Sequence, residues 1–276
     1  MRLSKYHGLG NDFIIGHYDE LKHLEFSHFA KKVCHRHTGV GADGLIIVKQ
    51  SPLEMIYYNS DGSLAEMCGN GIRCFAAYCL DEKLVQTQDL TVQTLAGEYQ
   101  LRIKDTYPYH ITVDMGKVNY DPKSFGATTH EPIHNKAIQL EETTYHIHAA
   151  LMGVPHMAIP LDTFNNETLT YLGKRLTNHT LFLDGVNVNF YEILSKDTIK
   201  MQTYERGAGL TLACGTGACA TVAMLHHQEL INNQVTVQLP LGELVITVND
   251  NDHVIMTGPA EKIADLIISE RSQYYV

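Results

Sequence analysis

Two short stretches decide how this chain folds: Ala65-Glu66-Met67-Cys68-Gly69-Asn70-Gly71 and Thr211-Leu212-Ala213-Cys214-Gly215-Thr216-Gly217. Each contains Cys-Gly-x-Gly, and the cysteines stand 214 − 68 = 146 positions apart. The likeness continues outward at nearly the same offset. Tyr58-Asn59 and Tyr204-Glu205 precede the two cysteines. After each cysteine, apolar or small residues fall at i, i+3, i+4 and i+7: Ile72, Phe75, Ala76 and Cys79, then Ala218, Thr221, Val222 and Leu225. That spacing puts one stripe on one face of a helix. A hairpin pattern follows in both halves, Thr91-Val92-Gln93 up to Gly97 and Thr236-Val237-Gln238 up to Gly242, and then a strand, His110-Ile111-Thr112-Val113 or His253-Val254-Ile255-Met256.

The openings of the halves match too. A strand at 12–15 precedes a helix carrying Phe26, Phe29, Ala30 and Val33, which Gly39 is expected to end. A strand at 157–159 precedes a helix carrying Leu169, Leu172 and Leu176. Residues 45–48 and 188–193 read as strands. The chain is therefore expected to be α+β, with two pseudo-symmetric domains from an internal repeat, each a sheet wrapped around a central cysteine-headed helix. The expected domains are 1–117 and 118–276, with the tail 263–276 able to pack back on the first. The stretch 116–145, with Pro122 and Pro132, reads as a linker with some extended structure.

Length and composition narrow the function. With 276 residues and 44% hydrophobic side chains, burial is not limiting. A net charge of −10 argues against a nucleic-acid protein, which would show a basic stripe. No apolar run approaches the ~20 residues of a membrane span. The first residues lack a signal peptide's apolar core, so a cytoplasmic location is expected. There the six cysteines would be reduced. They form no CxxC pair, so no metal is expected. The sixteen histidines are scattered and read mostly as surface residues.

Cys34, Cys74, Cys79 and Cys219 read as small buried hydrophobes. Cys68 and Cys214 read differently. Each heads a helix with glycine close behind it. Backbone N–H groups can then crowd round a ligand, and the helix N-terminus adds a partial positive charge. Both effects favour thiolate and offer donors to a carboxylate or to charge developing at an α-carbon. Inverting a carbon centre needs a base on one face and an acid on the other. Two equivalent cysteines facing each other across a cleft would supply that pair and would titrate as a unit.

These residues resemble the diaminopimelate epimerase family. The matching stretches are 7–13, Gly41-Ala42-Asp43-Gly44, Asn59-Ser60-Asp61-Gly62-Ser63, the Cys68 motif through Ala76, Asn187, and 205–209 through the Cys214 motif. The resemblance implies an isomerase inverting an amino-acid α-carbon without pyridoxal phosphate or metal, hence no cofactor, and implies a homodimer. It implies Cys68 and Cys214 as the acid/base pair, with His156 and Glu205 near the reacting centre. It implies Asn11, Asn59, Asn187 and Arg206 as substrate-binding residues, and Gly69, Asn70, Gly215 and Thr216 as donors to the reacting carboxylate.

One position departs from the family pattern. Where the family reads Gly-Asn-Pro-His, this chain reads Gly153-Val154-Pro155-His156, and Asn11 occupies the equivalent place in the first half. Valine offers no side-chain hydrogen bond, so a polar substrate group there would lose a partner, worth ~1–3 kcal/mol if buried. Two substrate readings stand: LL- to meso-diaminopimelate, or another amino acid such as histidine, lysine or glutamate with a pocket altered at Val154. A cysteine hydrolase would leave the second cysteine motif unexplained. A non-catalytic amino-acid-binding protein would bind without α-hydrogen exchange.

Overall fold

The apolar run Leu45-Ile46-Ile47-Val48 is fully buried, too continuous for a strand with one wet face. It lies in the strand Gly44–Gln50, between Asn11–His17, which runs parallel to it, and the antiparallel strand Leu53–Asn59. In the computed structural model, which describes residues 1–106 and 108–269, this parallel-then-antiparallel arrangement recurs in the second half of the chain.

The chain divides into two compact units. One comprises Met1–Val113 together with the chain from Thr257 onward; the other is Asp114–Met256. In the first unit Arg2–Gly8 pairs antiparallel with Asn11–His17, and Leu53–Asn59 meets Asp89–Thr94 in parallel. The meander Asp89–Thr94, Gly97–Thr106 and Tyr109–Lys117 completes it. The second unit repeats each pairing type in order. Thr143–Met152 is antiparallel to Val154–Pro160, which is parallel to Asn187–Ser195, itself antiparallel to Thr198–Glu205. That strand is parallel to Gln234–Leu239, which forms a hairpin with Gly242–Val248.

The cysteine-headed helices are Gly69–Asp81 and Gly215–His227. The spacing predicts one apolar stripe, but burial goes all the way round. Every residue from Gly69 to Cys79 is buried, as is nearly every residue from Gly215 to Leu225. A helix dry on all sides is a central one. The repeat persists where the helices stop: Lys83 and Glu229, 146 apart, both adopt positive φ. Leu84 N–H then donates back to the Cys79 carbonyl, as Leu230 N–H does to Leu225.

The smaller helices match the expected apolar positions. Phe26–Val33 buries Phe29, Ala30 and Val33; Asn166–Leu176 buries Leu169, Leu172 and Leu176. Gly39 does not end the first. That helix stops at Val33 with Cys34 as its cap, and Gly39 closes a separate turn by donating to the His35 carbonyl. A side chain at Gly39 would run into the Lys32 and Val33 carbonyls, so the glycine marks close backbone approach rather than a cap.

The stretch 116–145 is not a linker. It adds the short helix Pro122–Phe125 and the strand Ile133–Leu140, paired with Thr143–Met152, and it sends Phe125, Ile133 and Ile138 into the second unit's core. The free edge of Arg2–Gly8 is covered by the last strand, with Arg2 opposite Ile267 and Leu3 opposite Leu266. Residues 270–276 of the expected tail lie outside the described residues. Among the described residues, no helix is long and apolar enough to cross a membrane.

Candidate active site

In the first unit, Cys68 is the N-cap of its helix, with extended backbone, and its sulfur accepts from Gly71 N–H at 3.4 Å. Gly71 is needed for this approach: a Cβ there would press on Ile46 at 3.2 Å and on Cys68 Cβ at 3.3 Å. Cys68 is half-buried.

Asn11 joins the cysteine to a chain of fixed polar groups. Its Nδ2 donates to Asp43 Oδ2 at 2.7 Å, which turns its Oδ1 toward Asn70 Nδ2, at 3.1 Å, and toward Cys68 Sγ, at 3.7 Å. Asn70 Oδ1 accepts from Arg73 Nη2 at 3.1 Å, which fixes that amide as well. Among the described residues Arg73 is the largest fully buried side chain; it also donates to the carbonyls of Gly69 and Pro259. On the other flank, Asp43 accepts from Arg36 at 2.6 Å, and Arg36 grips Asp12 with both terminal nitrogens. Burial pulls the Asp12 carboxyl up, but the Arg36 and Lys5 hydrogen bonds outweigh it and leave the pKa below the usual carboxylate value. Asn59 stands apart from this chain, donating to Ser63 Oγ in the turn that follows its strand.

In the second unit, Cys214 caps its helix with similar extended backbone and is 6% exposed. Its sulfur lies 3.6 Å from Thr216 Oγ1. Val154, the counterpart of Asn11, opens its strand 37% exposed, with no polar atom in its side chain. His156, two residues on, is fully buried, and burial pushes its pKa down to about 3. Its Nδ1 lies 3.2 Å from Asn189 Nδ2, while its Nε2 is buried without a hydrogen-bond partner. Strand register sets His156 opposite Asn187, whose Oδ1 accepts from Arg206 N–H at 2.8 Å. Glu205 accepts from Thr211 Oγ1 at 2.7 Å. The exposed Arg206 side chain donates to the Asp184 carbonyl at 2.5 Å.

The structure thus gathers Asn11, Cys68, Gly69 and Asn70 in one cluster, and Asn187, Glu205 and Arg206 around one strand end. Sequence reasoning missed Arg73, Asp43 and Asn189 as the groups that orient these side chains. Asn189 left a signal: in Asn187-Val188-Asn189-Phe190 the two asparagines share one strand face. The four remaining cysteines are buried, and burial, the largest cause, pushes the Cys34 thiol up to about 12 and raises Cys74 and Cys79 as well.

Comparison with known proteins bears on the family of the chain. The family model described as diaminopimelate epimerase matches residues 3–120 and 148–263. A diaminopimelate epimerase of Alkaliphilus metalliredigens is 41% identical over 270 residues, covering 95% of each chain. One from Clostridium perfringens is 40% identical over 272 residues, covering 96% of this chain and 98% of its own. Among solved structures, a probable proline racemase from Agrobacterium radiobacter superposes with a TM-score of 0.69 at 13% identity, over 98% of this chain and 93% of that one; at this identity the likeness is one of fold. Residues matched in both halves, and two relatives similar over nearly the whole length, place this chain in the diaminopimelate epimerase family.

Proposed function

We propose that this protein epimerises diaminopimelate between its LL and meso forms, with Cys68 and Cys214 as a cofactor-independent acid/base pair. The observation that carries the reading is the duplicated setting of the two sulfurs, each at the N-terminus of a buried helix with backbone amides close behind it. A thiolate on one cysteine takes the α-proton: an S–H bond forms, the Cα–H bond breaks, and the electron pair passes toward the adjacent carboxylate. The other cysteine's S–H gives its proton to the opposite face, so the thiolate ends on the second cysteine and no oxidant or reductant is consumed. Amides at each helix start hold the carboxylate as charge builds. His156 and Glu205 lie near the reacting carbon, and Asn11, Asn59, Asn187 and Arg206 bind the rest of the substrate. The protein works in the cytoplasm, where both thiols stay reduced, and pairs with a second copy of itself.

A second reading rests on Val154. Asn11 offers a fixed carbonyl oxygen where Val154 offers only methyl groups, so the pocket would suit an amino acid with a different distal end. Proton NMR in D2O separates the two. With LL-diaminopimelate, L-histidine, L-lysine and L-glutamate offered singly, loss of the α-hydrogen signal is expected to be fastest with diaminopimelate. Fastest exchange with another amino acid would transfer the assignment to that substrate, and exchange with none would overturn the racemase reading.

A further inference from the structure

His156 is embedded, and its surroundings leave its proton one place to sit. Asn189, also fully buried, has its amide orientation dictated by a backbone carbonyl. Its Nδ2 donates to the Met157 carbonyl at 3.0 Å, and a carbonyl can only accept. Its Oδ1 accepts from Thr203 Oγ1 at 2.9 Å. Flipping the amide would set oxygen against the Met157 oxygen. The second hydrogen on Nδ2 therefore points at His156 Nδ1, 3.2 Å away, and that nitrogen must accept. A neutral imidazole carries one proton, so it resides on Nε2. Nε2 is the ring atom left buried without a partner, and buried polar groups are nearly always satisfied, so an orphan here points to a group that arrives with a ligand.

We propose that Asn189 is a positioning residue that locks His156 in the Nε2–H tautomer, so that His156 presents a donor to an acceptor oxygen of the substrate, a carboxylate oxygen in an amino acid. The inference rests on the reading above that His156 lies against the substrate. It also excludes a role: a ring with its proton on Nε2 cannot accept a hydrogen bond there from the substrate's ammonium. Burial holds the ring neutral at working pH. The arrangement reaches the catalytic cysteine through Gly217. A Cβ at that position would collide with Asn189 Oδ1 and lie 3.2 Å from Cys214 Sγ, so the amide and the sulfur pack against the same helix turn.

The test is long-range nitrogen–proton NMR on uniformly 15N-labelled protein, with the His156 signals assigned by their loss in His156→Gln. Wild-type protein is expected to show an unprotonated Nδ1 and a protonated Nε2 that persist from pH 8 to pH 5. Adding LL-diaminopimelate is expected to shift the Nε2–H signal. Asn189→Asp places a carboxylate, which can only accept, beside Nδ1. The proton is then expected to move there, and kcat to fall roughly 100-fold or more with a smaller change in KM, the scale for losing one preorganised donor. A protonated Nδ1 in the wild type overturns the proposal, and this spectrum decides it even if Asn189→Asp fails to fold. An Asn189→Asp protein that keeps the Nε2–H tautomer while losing activity overturns it too. The expected tautomer in a protein that exchanges no α-hydrogen would overturn the epimerase reading while leaving the hold of Asn189 on the ring intact.

Discussion

The buried guanidinium of Arg73 donates through Nε to the carbonyl of Pro259, 186 residues away in sequence, at 3.1 Å. The same side chain holds the Gly69 carbonyl and the Asn70 amide, so one residue ties the first turn of the Cys68 helix to the last strand. Gly8 is bare to make room: a Cβ there would come within 2.9 Å of Nη2. Arg73→Met would take a partner from three acceptors, the carbonyls of Gly69 and Pro259 and the Asn70 Oδ1. The expected cost is about 3–5 kcal/mol in urea unfolding, the scale for removing one partner of a buried charged network. A loss below about 1 kcal/mol would mean that water replaces the guanidinium.

Cys68→Ala and Cys214→Ala are each expected to lower α-proton exchange by roughly 10²–10⁴, the range for deleting an acid or base. Thermal unfolding should move little, because an alanine methyl retains most of the packing. Exchange in D2O and a melting curve on the same samples check both halves of this expectation. Near-normal exchange in either variant would remove that cysteine from the mechanism.

The buried histidines set an acid limit. Burial lowers His148 to about 4 and His156 to about 3, against ~6.5 in an unfolded chain. The folded state holds both neutral, so the unfolded chain binds more protons between the two values. Stability is therefore whole above about pH 6.5 and is lost as pH falls toward the folded values. At pH 5 the cost is on the order of 2 kcal/mol for each ring. His148→Phe is expected to lessen the drop in urea midpoint between pH 7 and pH 5; an unchanged slope would clear His148 of that role.

Gly217→Ala inserts a methyl between Asn189 and Cys214. Overpacking of this kind costs typically 1–3 kcal/mol. Both contacts belong to the site, so turnover should fall further than stability does. Matched kcat and melting measurements decide it, and a variant with full turnover would show that the helix turn has slack.

Val154→Asn restores an amide where the first half has Asn11. If diaminopimelate is the substrate and its distal end lies here, KM should fall by roughly 2- to 10-fold, about one hydrogen bond at a half-exposed position. An unchanged KM would mean that water already serves that group.

The repeat was legible because it is written in periodic positions and glycines. Ile72, Phe75, Ala76 and Cys79 and their counterparts 146 residues on announce two helices, and the alternation around Val92 and Val237 announces two hairpins. Local spacing could not say that these helices are buried on every side, since that depends on how the strands close round them. It also could not place 133–140 in a sheet, because Asn135 and Lys136 dilute the apolar signal of Ile133 and Ile138. Cys68 and Cys214 stood out as a duplicated motif. Arg73, Asp43 and Asn189 did not, because their work is to orient a neighbour, and their partners are brought together by strand register and tertiary contact.

The pairing of Arg2–Gly8 with the strand ending at Ile267 gives the two units different histories during synthesis. The unit Asp114–Met256 is one uninterrupted segment and can close as soon as it clears the ribosome. The unit that begins first must finish second. Until the final strand emerges, its opening strand keeps a bare edge, the kind of surface that invites pairing with another chain, and Arg73 waits without the carbonyl of Pro259.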